Sequence, residues 1–223
     1  MILWIALALP GLLLSLYAQA RVKSAFNKYS QVRTSRNITG AQIARQLLNA
    51  RGLHDVGIER AQGFLSDHYD PRGKVLRLSP DVHDGTSVAA AGVAAHEMGH
   101  ALQDAQGYFP LQIRSAIVPA AQFGSTLAPW IIIAGLFLSE TLAIIGFVLF
   151  LAAVLFTLVT LPVEFDASKR ARELLLENNL IYQDEMGGVS KVLNAAALTY
   201  VAAAVAAVGQ LLYYAFLLFG SRD

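Results

Sequence analysis

The run His96-Glu97-Met98-Gly99-His100 places two imidazoles four positions apart, with a carboxylate beside the first. On a helix, positions i and i+4 share one face about a turn apart, so this pair can hold a single metal ion. Glu97 then points towards a water on the metal rather than at the metal itself. Zinc lowers the pKa of such a water to about 7, and a carboxylate can take its proton as it attacks a carbonyl. The plainer alternative is an amphipathic helix whose histidines lie on its polar face. Against it, Val88 to Ala95 is almost wholly small and apolar, which predicts a buried helix, and buried imidazoles and carboxylates need partners. A catalytic zinc has three protein ligands and an open position, so another segment must supply the third.

The elements that could bring in that ligand follow from the distribution of charge. The chain has 223 residues, 55% hydrophobic and only 15% charged, with a mean hydropathy of +0.48. Soluble domains carry about 25% charged residues, so an ordinary soluble domain, a disordered chain and a collagen are all excluded. There is no cysteine, hence no disulfide scaffold, and a net charge of +1 argues against nucleic acid as a partner. Of 33 charged residues, 20 lie between Arg21 and Arg114 and 10 between Glu164 and Lys191, leaving Glu140, Arg222 and Asp223. A bilayer core needs roughly 20 apolar residues of helix. The charge-poor stretches therefore predict four spans: residues 1–20 as an anchor, a two-span hairpin over 115–163 that turns at Ser139 and Glu140, and 195–219 as the last span.

Arg21, Lys23, Lys28, Arg33 and Arg36 follow the first stretch with no acidic residue among them, which predicts a cytoplasmic side for that end. Ala18-Gln19-Ala20 resembles a signal-peptide cleavage site, but no basic segment precedes the apolar run, so an uncleaved anchor is expected. An even number of spans then returns 164–194 to the compartment of 21–114. Glu164 is the first charge after the third span. On a continuing helix Asp166 has Lys169 and Arg170 at i+3 and i+4, whereas Glu164 has Ala167 and Ser168. Glu164 is thus the candidate third ligand; the alternative is a first-turn glutamate favoured by a helix starting at Pro162.

Residues 21–114 read as a small α+β region. Thr39 and Gln42 fit a capping box, and Ile43, Leu47 and Leu48 recur at helical spacing up to Arg51-Gly52. Strand-like runs follow at Val56–Arg60, Gly63–Tyr69 and Val75–Leu78, with a turn at Asp70-Pro71-Arg72-Gly73. Ser79–Gly85 reads as a polar loop, and Thr86 or Ser87 can cap a helix from Val88 to about Asp104. Val75–Leu78 is either an edge strand that pairs with an extended substrate or an ordinary core strand. His54, His68 and His83 fit surface positions, with His68, between Asp67 and Asp70, the one worth testing. Arg77 and Tyr200 are the only guesses for an oxyanion stabiliser, and Trp4, Trp130 and Tyr213-Tyr214 suit interfacial belts.

Taken together, Tyr69-Asp70-Pro71-Arg72 with Val75–Ser79, Val93–Tyr108, Thr160–Ala171 and Ala195–Ala203 give the chain a recognisable pattern over nearly its whole length. It resembles the YugP-like neutral zinc metallopeptidases, a family of bacterial membrane proteins similar in outline to the HtpX and CAAX prenyl protease group. The resemblance implies His96, His100 and Glu164 as ligands of one zinc ion and Glu97 as general base. In that related group an E-x-x-A-D pattern carries the third ligand; here Ser168 stands where it has aspartate, so the aspartate's supporting role does not transfer.

The expectation is a mainly α integral membrane protein of the bacterial cell membrane, with four transmembrane helices and a small α+β, zincin-like cytoplasmic region. It would hydrolyse peptide bonds in membrane or juxtamembrane protein segments. Two other readings are a non-enzymatic scaffold with a structural metal and an intramembrane zinc protease. Against the second, Val88–Leu102 is too short and too polar to cross a membrane, and no Leu-Asp-Gly partner motif occurs.

Overall fold

The computed structural model describes residues 2–220; Met1 and residues 221–223, Arg222 and Asp223 among them, lie outside the described residues. In chain order its elements are α1 (Ile2–Ser30), α2 (Gly40–Ala50), β1 (Gly57–Arg60), β2 (His68–Asp70), β3 (Val75–Leu78), α3 (Pro80–His83), α4 (Val88–Ala105), α5 (Phe109–Thr126), α6 (Ala128–Leu138), α7 (Glu140–Glu177) and α8 (Met186–Phe219). The fold is mainly helical with one small sheet. The chain divides into two compact units, one of residues 20–108 with 163–197 and the other of the residues up to 19, 109–162 and those from 198 on.

In the first unit the local signals act as their chemistry dictates. Thr39 accepts from Gln42 N–H while the Gln42 side chain accepts from Thr39 N–H, closing the capping box that starts α2. Ser87 Oγ accepts from Ala90 N–H at 3.1 Å and starts α4. Asp70 Oδ1 accepts from the backbone of Arg72 and Gly73, making the turn into β3. The sheet has order β1-β3-β2, with β3 parallel to β1 (Gly57 opposite Val75) and antiparallel to β2 (His68 opposite Arg77).

One open alternative is decided here and two expectations need correction. Val75–Leu78 is the central strand, not an edge, and Val75, Leu76 and Leu78 are buried, so the core-strand reading holds and no open edge remains on it. The Gly63–Tyr69 run is strand only from His68. Gly63 and Leu65 adopt positive φ (105° and 53°), which breaks extension, and Asp67 instead accepts from the Ser79 N–H and hydroxyl. Ser79–Gly85 contains the one-turn helix α3, with Pro80 in the first turn, where the missing N–H costs nothing.

The core of this unit gathers Phe26 of α1, Ile43, Leu47 and Leu48 of α2, Leu76 and Leu78 of β3, and the apolar face of α4 around Met98. Leu174 and Leu175 of α7 and Val189 and Leu193 of α8 complete it. The apolar run Val88–Ala95 is indeed buried apart from Val93, which is partly so.

The helices α1, α7 and α8, each with residues in both units, are long and apolar enough to cross a membrane. A fourth span exists if α5 and α6, bent by 51°, count as one. The stretch expected to form one span up to Leu138 is therefore bent, as in a broken span or a re-entrant loop. Leu127 keeps near-helical dihedrals and still donates to the Phe123 carbonyl, but Pro129 in the first turn of α6 cannot donate back to the preceding turn. The turn at Ser139 is present, Ser139 being extended between α6 and α7. There α6 and α7 approach so closely that a Cβ on Gly135 would stand 2.2 Å from Ala143 N, the small-residue contact typical of membrane helices. Residues 18–20 lie inside α1, which runs through them unbroken.

Candidate metal centre

The site lies within the unit that holds α2 to α4, on two helices. His96 and His100 stand one turn apart on α4, with ring centroids 4.8 Å apart and planes nearly perpendicular. Glu164 is on α7, which continues without interruption through Pro162. Glu164 is thus in mid-helix rather than in a first turn, and the helix-start explanation for it falls away. The approach of the two helices is set by Gly99: a Cβ there would lie 2.7 Å from the Ala167 carbonyl oxygen, so only glycine admits this contact.

Glu164 Oε2 lies 3.2 Å from His96 Nε2 and 3.6 Å from His100 Nε2. The side chains are 13%, 10% and 2% exposed for His96, His100 and Glu164. One ligand atom from each of the three lies within 4.8 Å of the others. Around a tetrahedral zinc with bonds of about 2.0–2.2 Å, neighbouring donor atoms stand about 3.4 Å apart. The two Nε2–Oε2 distances match edges of such a tetrahedron, and two imidazoles with one carboxylate are a donor set that zinc accepts. The residues present therefore fit one zinc ion.

Glu97 is buried beside them. Burial pushes its carboxyl above the usual carboxylate range, His96 and His100 pull it back, and Glu164 and Asp67 push it further up. Burial alone would lower His100, but the nearby Glu164 carboxylate outweighs it, and the imidazole holds its proton more tightly than usual.

The family described as "Putative neutral zinc metallopeptidase" matches residues 4–219. The chain belongs to this family. It is 47% identical over 222 residues, 99% of each chain, to "Putative membrane protease YugP" of Bacillus subtilis (strain 168). No solved structure matches it. Membership agrees with the resemblance read from the sequence blocks and with the donor set on α4 and α7.

Two side chains of this zinc metallopeptidase family member escaped the sequence reading. Ser168, treated only as a departure from the related group, places its hydroxyl 3.2 Å from His96 Nδ1. Gln103 places Oε1 3.0 Å from His100 Nδ1 and donates from Nε2 to the Val163 carbonyl and to Asp166. Spacing could have found both, since Gln103 is i+3 from His100 and Ser168 is i+4 from Glu164. Asp166 does pair with Arg170 at i+4, while Lys169 turns to Glu173. Among the weaker guesses, Arg77 is held in the sheet by Asp70 and Glu59. His68 is exposed and bonded to its own loop at the Ser66 carbonyl, and His83 pairs with Asp84. Tyr200 lies on α8, in the other unit.

Proposed function

We propose that the protein is a zinc-dependent endopeptidase of the membrane, with a zincin-like α+β region on the cytoplasmic side. His96, His100 and Glu164 would hold the ion. When bound, zinc supplies Lewis acidity, which brings the pKa of a water to about 7 and polarises a carbonyl. Glu97 takes a proton from the attacking water and passes it to the leaving amine, a transfer that its raised pKa favours. The observation that carries this reading is the spacing of the three donor atoms on two packed helices, with a buried carboxylate next to them.

Glu164 shares one helix with the apolar stretch that begins at Glu140. That continuity supports membrane-protein or juxtamembrane segments as substrates. Purified protein that cut soluble unfolded chains well and left membrane substrates intact would sink the substrate assignment. The metal assignment is tested by metal analysis of the full chain beside His96→Ala and Glu164→Ala. Wild type is expected to carry one zinc per chain and both variants to lose it; zinc at normal affinity in Glu164→Ala would remove the third ligand.

A further inference from the structure

The side chain of Gln103 is fully buried, and its two ends are chemically fixed. Its Nε2 stands 2.8 Å from the Val163 carbonyl oxygen and 2.8 Å from Asp166 Oδ2. A carbonyl and an ionised carboxylate only accept, so the amide nitrogen must be the atom that faces them. Turning the amide over would set its oxygen against two acceptors. Asp166 is itself held by Arg170, whose guanidinium reaches Gln106 Oε1 at 2.6 Å and lies over the Tyr108 ring. The charge that orients the amide is therefore anchored on α7 and on the segment that follows α4.

With the nitrogen so fixed, Oε1 is the atom 3.0 Å from His100 Nδ1. An amide oxygen accepts and cannot donate, so Nδ1 carries the hydrogen. In the neutral ring this leaves the lone pair on Nε2, the atom that faces Glu164. His96 has no such constraint, because a serine hydroxyl can donate or accept. We infer that Gln103 is a positioning residue that selects the ligating tautomer of His100, its amide oriented by the Val163 carbonyl and the Asp166–Arg170 pair. This rests on the metal-site reading above.

The test is zinc affinity of the full-length chain in detergent, measured by competition with a chromophoric chelator. Q103M keeps the side-chain length and removes the acceptor. In Q103E/D166N the acceptor at position 103 is kept: the carboxyl there, protonated, donates to the Val163 carbonyl as the amide did and leaves its other oxygen for His100, and the new amide at position 166 can donate to it. Q103M is expected to bind zinc about 10- to 100-fold more weakly, the usual cost of losing such a partner, with the double variant within a few-fold of wild type. Wild-type affinity in Q103M overturns the inference. So does equal weakening of both variants, which would make Gln103 a tether to α7 rather than an acceptor for His100. Should Q103M not fold, the double variant still decides: affinity near wild type supports an acceptor role, and a loss of tenfold or more overturns it. Failure of the metal site itself is recognised separately, because wild type would then bind no zinc that depends on His100.

Discussion

Two buried glutamates lie in one site, and their surroundings give them different work. Glu164 meets both imidazoles through Oε2, whereas Glu97 is raised by burial with the imidazoles only partly opposing it. A base with a raised pKa loses its ionised form as pH falls through that value, so the acid limb of peptidase activity should sit above the ordinary carboxylate range. A pH profile of kcat/KM checks this; a limb at an unperturbed carboxylate pKa would contradict it. Glu97→Gln should keep zinc and lose about 10²- to 10⁴-fold in rate. Full biological activity with zinc bound would end the peptidase reading and favour a scaffold. His96, Glu97 and His100 were legible because their relation is local and obeys the helical period. Spacing placed Gln103 beside His100 and Ser168 beside Glu164, but their contacts with Val163 and His96, 60 and 72 positions away, were not legible, because those depend on how α4 meets α7.

At the scale of elements the decisive contact is that of α4 with α7 at Gly99. Its Cβ-free surface faces the Ala167 backbone, with His96 one side of it and His100 the other. Gly99→Val should force the helices apart, cost about 1–3 kcal/mol by overpacking and loosen zinc binding together with it. Thermal unfolding and zinc titration of the same samples would show both losses; a valine variant with wild-type zinc affinity would mean the contact does not set the site. Caps and turns were readable from sequence, since Thr39–Gln42 and Asp70–Gly73 satisfy their own backbones. The place of β3 between β1 and β2 was not, because strand order is set by long-range pairing and not by the alternation within Val75–Leu78.

For the whole molecule the absence of cysteine is an experimental advantage. Gln62, Ser139 and Gln183 are exposed, and single-cysteine variants at each can be labelled from either side of the membrane. If the basic cluster after Ala20 faces the cytoplasm and Ser139 the far side, a membrane-impermeant maleimide should label Ser139→Cys in intact cells. Gln62→Cys and Gln183→Cys should react only after lysis. Labelling of Gln62→Cys and Ser139→Cys from one side would refute an odd number of crossings between them. The apolar lengths of α1, α7 and α8 were plain in the sequence. The bend between α5 and α6 was not, since hydropathy is blind to the backbone break before Pro129.

His96 and Glu164 are 68 residues apart, with α5, α6 and the first part of α7 between them. At about 5–20 residues per second the ribosome needs roughly 3 to 14 s to make that stretch. A nascent chain that already displays both histidines therefore lacks the carboxylate that completes the centre. Order of synthesis alone leaves the centre incomplete in the nascent chain, and a chain truncated before α7 should hold no zinc at this site.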